Sequence, residues 1–309
     1  MNRRSPPFAD PALPPSATSP TAPVPVGWRR VLRDAQAWFL LPHAMAVLVV
    51  LATTYGFAGL ARGSFTLDFT VLRLLMAMLG GQLAIGAVNE IVDADLDALS
   101  KPSKPIPAGI IRPSSAIRLT VISLIAMGGF SASFGFISLA LCSIGTGAGL
   151  VYDLWLKRTL LSWLPYLVAL PLLPIWVWTS LRGFEPRLLM LYPLGAFAVI
   201  GVHLSQALPD IAADRDAGVR GVSSLFGERS ALLLCWTATL TAPALAAALA
   251  GRLTGEPTLV WIASVIVVAI VAANALLYAW DHRLGVRVCF PMTAISTAII
   301  GLGWVLALR

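Results

Sequence analysis

Charged residues are scarce in this chain of 309 residues, because Asp, Glu, Lys and Arg together make up only 12% of it. Soluble domains carry about 25% charged residues, which supply the polar surface that water requires. Hydrophobic residues make up 58% of the sequence, and the mean hydropathy is +0.81. This composition argues against a soluble enzyme, a disordered chain and a free nucleic-acid-binding protein. The net charge of +7 is instead typical of a membrane protein with its Lys and Arg on the cytoplasmic side.

Cysteine is also scarce, and its pattern excludes two common uses of this residue. The three cysteines, Cys142, Cys235 and Cys289, all lie in apolar segments and lack the spacing of metal ligands. We expect them to be small buried apolar side chains rather than members of a disulfide framework.

Residues 1–26 differ from the rest, since they contain eight prolines and no apolar periodicity. Such a segment cannot bury enough surface to offset its ordering entropy, so we expect a disordered cytoplasmic tail. It also has no continuous apolar stretch before a cleavage site, which argues against a signal peptide. Residues 27–309 are expected to form one transmembrane domain.

Nine apolar segments follow, each near the 20 or so residues that a membrane-spanning helix needs. They cover residues 37–59, 72–92, 116–133, 135–154, 160–180, 188–208, 230–250, 258–280 and 288–308. They are too long and too continuously apolar for barrel strands. The sequence therefore predicts an all-α integral membrane protein, a bundle of nine transmembrane helices.

The basic residues predict how this bundle is oriented. If the N-terminus is cytoplasmic, 16 of the 22 Lys and Arg residues lie on the cytoplasmic side. We therefore expect an N-in, C-out protein of the cell (inner) membrane, because cytoplasmic loops are enriched in Lys and Arg.

The acidic residues are concentrated in two short motifs, each at the end of an apolar segment. The chain has only 15 Asp and Glu. Four of them lie in the first motif (residues 89–97) and three in the second motif (residues 206–216). Carboxylates close to a membrane interior are energetically costly and indicate function.

The spacing within the two motifs is the same. Asn89, Asp93 and Asp97 are four residues apart, which places them on one side of a continued helix. Gln206, Asp210 and Asp214 repeat this spacing exactly 117 residues later, although Pro209 interrupts the helix there. Four membrane crossings separate the motifs, so both are expected on the cytoplasmic side, as in a parallel internal repeat.

Two facing groups of carboxylates suit Mg²⁺, which is commonly bound by one or two carboxylates together with substrate phosphates. Basic residues lie beside both motifs and could neutralise a diphosphate. The alternative is that the motifs are two solvated polar loops that end ordinary helices.

The two motifs resemble those of the UbiA superfamily of intramembrane prenyltransferases. Asn89-Glu90-x-x-Asp93-x-x-x-Asp97 is similar to the first aspartate motif of the family, with Glu90 in place of the usual Asp. The basic, proline-rich segment 101–109 follows it. Asp210-x-x-x-Asp214-Arg215 is similar to the second motif, and Tyr152 with Lys157 is similar to the tyrosine–lysine pair of the family.

The resemblance implies a fold, a reaction and roles for particular residues. It implies a helical bundle with an intramembrane cavity that opens at the cytoplasmic face, where a polyprenyl diphosphate would bind through Mg²⁺ and transfer its prenyl group to a hydrophobic or aromatic acceptor. Asp93, Asp97, Asp210 and Asp214 are the implied catalytic metal ligands, assisted by Asn89. The implied contacts to the diphosphate are Lys101, Lys104, Lys157 and Arg215, and Tyr152 would orient it. Glu90, Asp95 and Asp216 do not follow the four-residue spacing. For each of them we expect either a role in the site or simple exposure to solvent.

The acceptor stays open at this stage. Many family members with aromatic acceptors have an Arg early in the first helix, and Leu41 stands at that position here. His43 could contact an acceptor instead, or it could be structural, and His203 is a candidate general base.

Two other classes of protein fit part of the sequence. A secondary transporter or ion carrier also uses intramembrane carboxylates and repeats, but its sites lie at the membrane midplane rather than at one face. A structural membrane protein with degenerate motifs is opposed by the presence of all four aspartates.

Overall fold

The computed structural model describes residues 27–211 and 227–308, which are almost entirely helical. The helices are α1 (Trp28–Leu40), α2 (Ala44–Arg62), α3 (Phe69–Val92), α4 (Ala94–Ser100), α5 (Pro113–Ala132), α6 (Phe136–Val151), α7 (Leu164–Arg182), α8 (Leu191–Ala207), α9 (Glu228–Leu253), α10 (Pro257–Trp280) and α11 (His282–Ala307). A π-helical turn, Tyr152–Leu156, continues α6. Short 3₁₀ turns, Pro186–Met190 and Leu208–Asp210, flank α8.

Nine of the described helices are long and apolar enough to cross a membrane, and they match the nine predicted segments one by one. The other two, α1 and α4, are too short and polar. The tail, residues 1–26, lies outside the described residues.

The first membrane helix begins later than the sequence predicted. Residues 37–59 were expected to form one span, but α1 ends at Leu40 and α2 begins at Ala44. Pro42 has no N–H to continue the helix, and His43 has a positive φ of 55°. Hydropathy alone did not separate α1, an amphipathic helix that exposes Trp28, from the membrane span that follows.

Both helices that carry a motif pack in the same way. The first motif begins at the end of α3, which packs along α5. The second begins at the end of α8, which packs along α9. Gly80 allows the first contact to be close, because a Cβ there would lie 2.6 Å from the Ser123 carbonyl oxygen. The same neighbour relation in both halves agrees with the predicted repeat. Contacts of α7 with α8, and of α2 with α11, join the half of the bundle that carries the first motif to the half that carries the second.

The cysteines are as the sequence predicted. Cys142, Cys235 and Cys289 are buried and free. The Sγ atoms of Cys235 and Cys289 lie 3.8 Å apart between α9 and α11, beyond the length of a disulfide bond.

Candidate active site

The first motif keeps a helical path where α3 passes into α4. The backbone N–H groups of Asp93, Asp97 and Lys101 donate to the carbonyls four residues earlier, at 3.0, 2.8 and 2.7 Å. Asp93, the residue between the two helices, has φ of −88° and ψ of −3°. The spacing of four residues therefore places Asn89, Asp93 and Asp97 on one side, as predicted.

Both aspartates of this motif are buried and paired with basic side chains. Asp93 is 9% exposed and accepts hydrogen bonds from Lys157 and, at 3.2 Å, from Arg158. Asp97 is 6% exposed and accepts a bond of 2.7 Å from Lys104. Buried carboxylates are tolerated only when they are paired, so these contacts bring the segment 101–109 and the end of α6 onto the motif.

Glu90 belongs to the same cluster and is buried rather than solvated. Its side chain is 2% exposed and accepts a bond of 2.6 Å from Lys104, while His43 Nε2 lies 3.3 Å away. Asp95, by contrast, is exposed, and Asp216 lies outside the described residues. The longer Glu side chain thus replaces the usual Asp without leaving the cluster.

Sequence reasoning missed Asp153, which is 4% exposed and follows Tyr152 in the π-helical turn. Its Oδ1 accepts a hydrogen bond of 2.6 Å from Asn89 Nδ2. The available signal was one more carboxylate at the end of an apolar segment. It was overlooked because it has no partner at the four-residue spacing.

The turn between α1 and α2 places His43 against the first motif. His43 Nε2 lies 3.1 Å from Asn89 Oδ1. The turn can approach because a Cβ at Gly86 would lie only 2.6 Å from the Pro42 Cα. Leu41, at the position where an Arg was considered, is fully buried with Ala87 in an apolar cluster.

Two groups of this cluster outside the membrane helices have shifted pKa values. The hydrogen bond to Glu90 raises the pKa of His43 above 6.5 and outweighs the opposite effect of burial. Burial by itself would lower the pKa of Lys104, but the hydrogen bonds to Asp97 and Glu90 outweigh it and raise the pKa. Both shifts favour the charged form of each base.

Aromatic contacts connect the first motif with the end of α8, where the second motif begins. Tyr152 packs edge-on against Tyr166, with ring centroids 5.2 Å apart, and Tyr166 packs against His203 at 5.6 Å. His203 Nε2 is also 2.9 Å from Ser162 Oγ. These contacts show that the end of α6, the start of α7 and the end of α8 meet at one end of the bundle.

The structure describes only part of the second motif. Gln206 lies in the last turn of α8, which ends at Ala207, and Pro209 lies within the 3₁₀ turn Leu208–Asp210 that follows, as expected from the interrupting proline. The side chain of Asp210 and all of Asp214 and Arg215 lie outside the described residues. The described residues therefore give no geometry for the second predicted metal site.

Two cavities lie beside the end of α8. One, of about 160 Å³, is lined by Trp163, Ile200, His203 and Leu204. The other, of about 280 Å³, is lined by Pro209, Glu228, His282, Arg283, Val286 and Arg287. The second cavity has apolar, basic and acidic walls, and Glu228 lies 2.6 Å from His282 within it.

The first motif has the donor chemistry that Mg²⁺ requires, although its ligands are not gathered around one point. Carboxylate and amide oxygens are the hard ligands that this ion prefers. Glu90 Oε2 and Asp153 Oδ2 are buried carboxylate oxygens without a hydrogen-bond partner in the described part of the chain. Asn89 Oδ1 retains a second lone pair beside its contact with His43. No three His, Cys, Asp or Glu side chains converge on a common metal position within residues 27–211 and 227–308.

The fold and this site define an all-helical membrane protein with a buried carboxylate–lysine cluster at one end of its bundle. The chain belongs to the UbiA prenyltransferase family, whose model matches residues 49–300.

Relatives with known names share parts of this sequence. The protoheme IX farnesyltransferase of Ehrlichia canis is 38% identical over 125 residues, which are 39% of this chain and 42% of that protein. The digeranylgeranylglyceryl phosphate synthase of Methanospirillum hungatei is 26% identical over 196 residues, which are 59% of this chain and 68% of that protein. The matches thus span about two fifths to one half of the length of the Ehrlichia relatives.

Solved structures share the fold over most of the chain. The UbiA homologue from Archaeoglobus fulgidus bound to geranyl diphosphate (GPP) and Mg²⁺ has a TM-score of 0.65 at 17% identity and covers 87% of this chain and 99% of its own. The apo UbiA homologue from Aeropyrum pernix K1 has a TM-score of 0.66 at 21% identity and covers 84% and 96%. At these identities the likeness establishes the fold alone.

Proposed function

We propose that this chain is a Mg²⁺-dependent intramembrane prenyltransferase, which moves an isoprenyl group from a polyprenyl diphosphate to a hydrophobic or aromatic acceptor. The observation that carries the proposal is the pairing of the buried carboxylates of Asp93 and Asp97 with Lys157 and Lys104 at the end of a membrane helix. Family membership supports it, as do related structures described as bound to GPP or dimethylallyl diphosphate with Mg²⁺.

The reaction requires negative charge to be stabilised in a site without water. The C–O bond of an allylic diphosphate breaks, the diphosphate leaves with the electron pair, and the positive allylic carbon bonds to the acceptor, which loses a proton. Lys104 and Lys157 stabilise the charge on the leaving diphosphate, and Tyr152 orients it. The apolar helices exclude water, which would otherwise capture the allylic cation.

Mg²⁺ supplies Lewis-acid catalysis and a template for the diphosphate when it is bound. In this proposal Asp93, Asp97 and Asn89 bind one ion, and Asp210 and Asp214 bind a second. Lys101, which is exposed, and Arg215 complete the contacts to the diphosphate.

The test measures consumption of radiolabelled GPP and longer polyprenyl diphosphates by the purified chain. Acceptors would include a phenolic acid, a haem and a prenylglyceryl phosphate, two of them suggested by the names of the relatives. Diphosphate release should require Mg²⁺ or Mn²⁺. Asp93→Asn and Asp210→Asn should each abolish it without loss of expression, while Arg118→Gln, a change of an exposed residue at the start of α5, should not. Full turnover by either aspartate variant would contradict the metal assignment.

We further propose that the site faces the cytoplasm of an N-in, C-out protein in the inner membrane. The support is the excess of basic residues on the side of the first motif. A reporter enzyme that works only outside the cytoplasm should be active when it is fused after Arg309 and inactive when it is fused before Trp28. The opposite result would reverse the orientation.

A further inference from the structure

All three lysines of this chain lie close to the first motif, although the chain has 19 arginines. Lys101 and Lys104 follow α4, and Lys157 follows the π-helical turn. Arginine is thus the usual basic residue of this protein, and lysine is confined to one place. An ammonium group is a compact point charge on a flexible stem, whereas a guanidinium forms a rigid fork that favours a fixed paired geometry. Lysine is the better choice where a basic group must change partners.

Two of these lysines neutralise the carboxylates that the proposed function assigns to the metal. Lys157 contacts Asp93, and Lys104 lies 2.7 Å from Asp97 and 2.6 Å from Glu90. With Arg158 at 3.2 Å from Asp93, three positive groups face three buried carboxylates. These six groups therefore balance one another electrically without any added ion.

A divalent cation added to this balanced cluster meets two unfavourable terms. It must displace ammonium groups from the carboxylates, and it adds net positive charge to a site that water screens poorly. A diphosphate removes both unfavourable effects. Its oxygens accept hydrogen bonds from the displaced lysines, and its negative charge compensates the charge of the metal. Metal and diphosphate should therefore bind much more tightly together than the metal binds alone.

We propose that Lys157 and Lys104 are internal counter-cations that compete with the divalent metal for Asp93 and Asp97, and that they transfer to the diphosphate when donor and metal bind together. This inference rests on the proposed function, since it assumes that these carboxylates bind the metal. It gives the two lysines a second role beyond contact with the diphosphate, which is to suppress metal binding until the donor arrives.

The test measures binding of Mn²⁺ alone, with no diphosphate present, to the detergent-purified full chain by electron paramagnetic resonance. Lys157→Gln should bind Mn²⁺ at least about 10-fold more tightly than the unmodified chain, because a positive charge beside the metal position no longer opposes it in a site that water screens poorly. Adding Mn²⁺ should also raise the thermal midpoint of this variant more than that of the unmodified chain. Lys104→Gln makes the same test at Asp97 if Lys157→Gln does not fold.

Arg118→Gln is the matched control, because it removes one positive charge of an exposed residue in α5, whose hydrogen-bond partner is Ser115 rather than a member of the cluster. It should leave Mn²⁺ binding within about 2-fold of the unmodified chain, since exposed charges at a distance are screened. The inference is overturned if the lysine variants bind Mn²⁺ alone no more tightly than the unmodified chain. It is equally overturned if Arg118→Gln strengthens binding as much as they do.

The failure of the proposed function would look different. In that case the unmodified chain would not consume GPP in the presence of Mg²⁺, whichever acceptor is added. Asp93→Asn would also not weaken Mn²⁺ binding when it is combined with Lys157→Gln. Unchanged metal binding by the lysine variants, together with normal Mg²⁺-dependent turnover of the unmodified chain, would leave the prenyltransferase proposal intact and remove only the counter-cation role.

Discussion

Asp153 offers a direct test of how the cluster around Asn89 is organised. Its buried carboxylate accepts a hydrogen bond of 2.6 Å from Asn89 Nδ2. A bond to a charged group contributes about 1.5–3 kcal/mol. This contact and the contact of His43 with Oδ1 hold the Asn89 amide so that Oδ1 points away from Asp153, and without Asp153 one of these two restraints is lost.

The expected cost of Asp153→Ala falls on metal affinity rather than on stability. Loss of a residue that orients a metal ligand typically weakens metal binding by about 10–100-fold. The thermal midpoint should change less, because loss of the hydrogen bond to Asn89 is offset in part by removal of Asp153 Oδ2, which is buried without a partner in the described residues. Asp153→Asn keeps an acceptor oxygen but loses the charge, so its effect should be smaller.

The measurement is the Mg²⁺ concentration that gives half-maximal binding of radiolabelled GPP. Asp68→Asn, at the opposite end of α3, is the matched control, since it also removes one carboxylate and should leave this concentration unchanged. An unchanged Mg²⁺ requirement in Asp153→Ala would refute the reasoning, and so would a loss of the same size in Asp68→Asn.

Three further predictions concern packing, pH and the thiols. Gly86→Ala should lower the thermal midpoint through an overpacking cost of about 1–3 kcal/mol, because its Cβ would meet the Pro42 backbone at 2.6 Å; an unchanged melting curve would contradict this contact. The folded-state pKa of His43 is raised above 6.5, so its pairing with Glu90 should stabilise the protein fully below that pH, and the stability should be lost as the pH rises through the raised pKa. The melting difference between the unmodified chain and His43→Gln should therefore shrink with rising pH, and a constant difference would disprove the pairing. A thiol reagent should find three free cysteines after denaturation and almost none before it, whereas fewer than three would reveal a disulfide.

The sequence pattern predicted the local geometry of the site but not its contacts between distant segments. The spacing of Asn89, Asp93 and Asp97 predicted a shared side because helical geometry is local, and the backbone bonds of the α3–α4 junction preserve it. Asp153 is 64 residues from Asn89 in sequence, and no local pattern links them. The contact exists because α3 and α6 pack side by side.

The sequence alone determined the nine spans, because each must be apolar over its whole length to replace water with lipid. It also determined that carboxylates gather at the ends of two of them, since charge in so apolar a chain needs a function. Only the tertiary structure decided that Glu90 is buried, that α1 is separate from α2, and which base pairs with which carboxylate. These outcomes depend on the distances between helices that are remote in sequence. Such distances are set by the close contacts of small residues like Gly80 and Gly86 rather than by hydropathy or spacing.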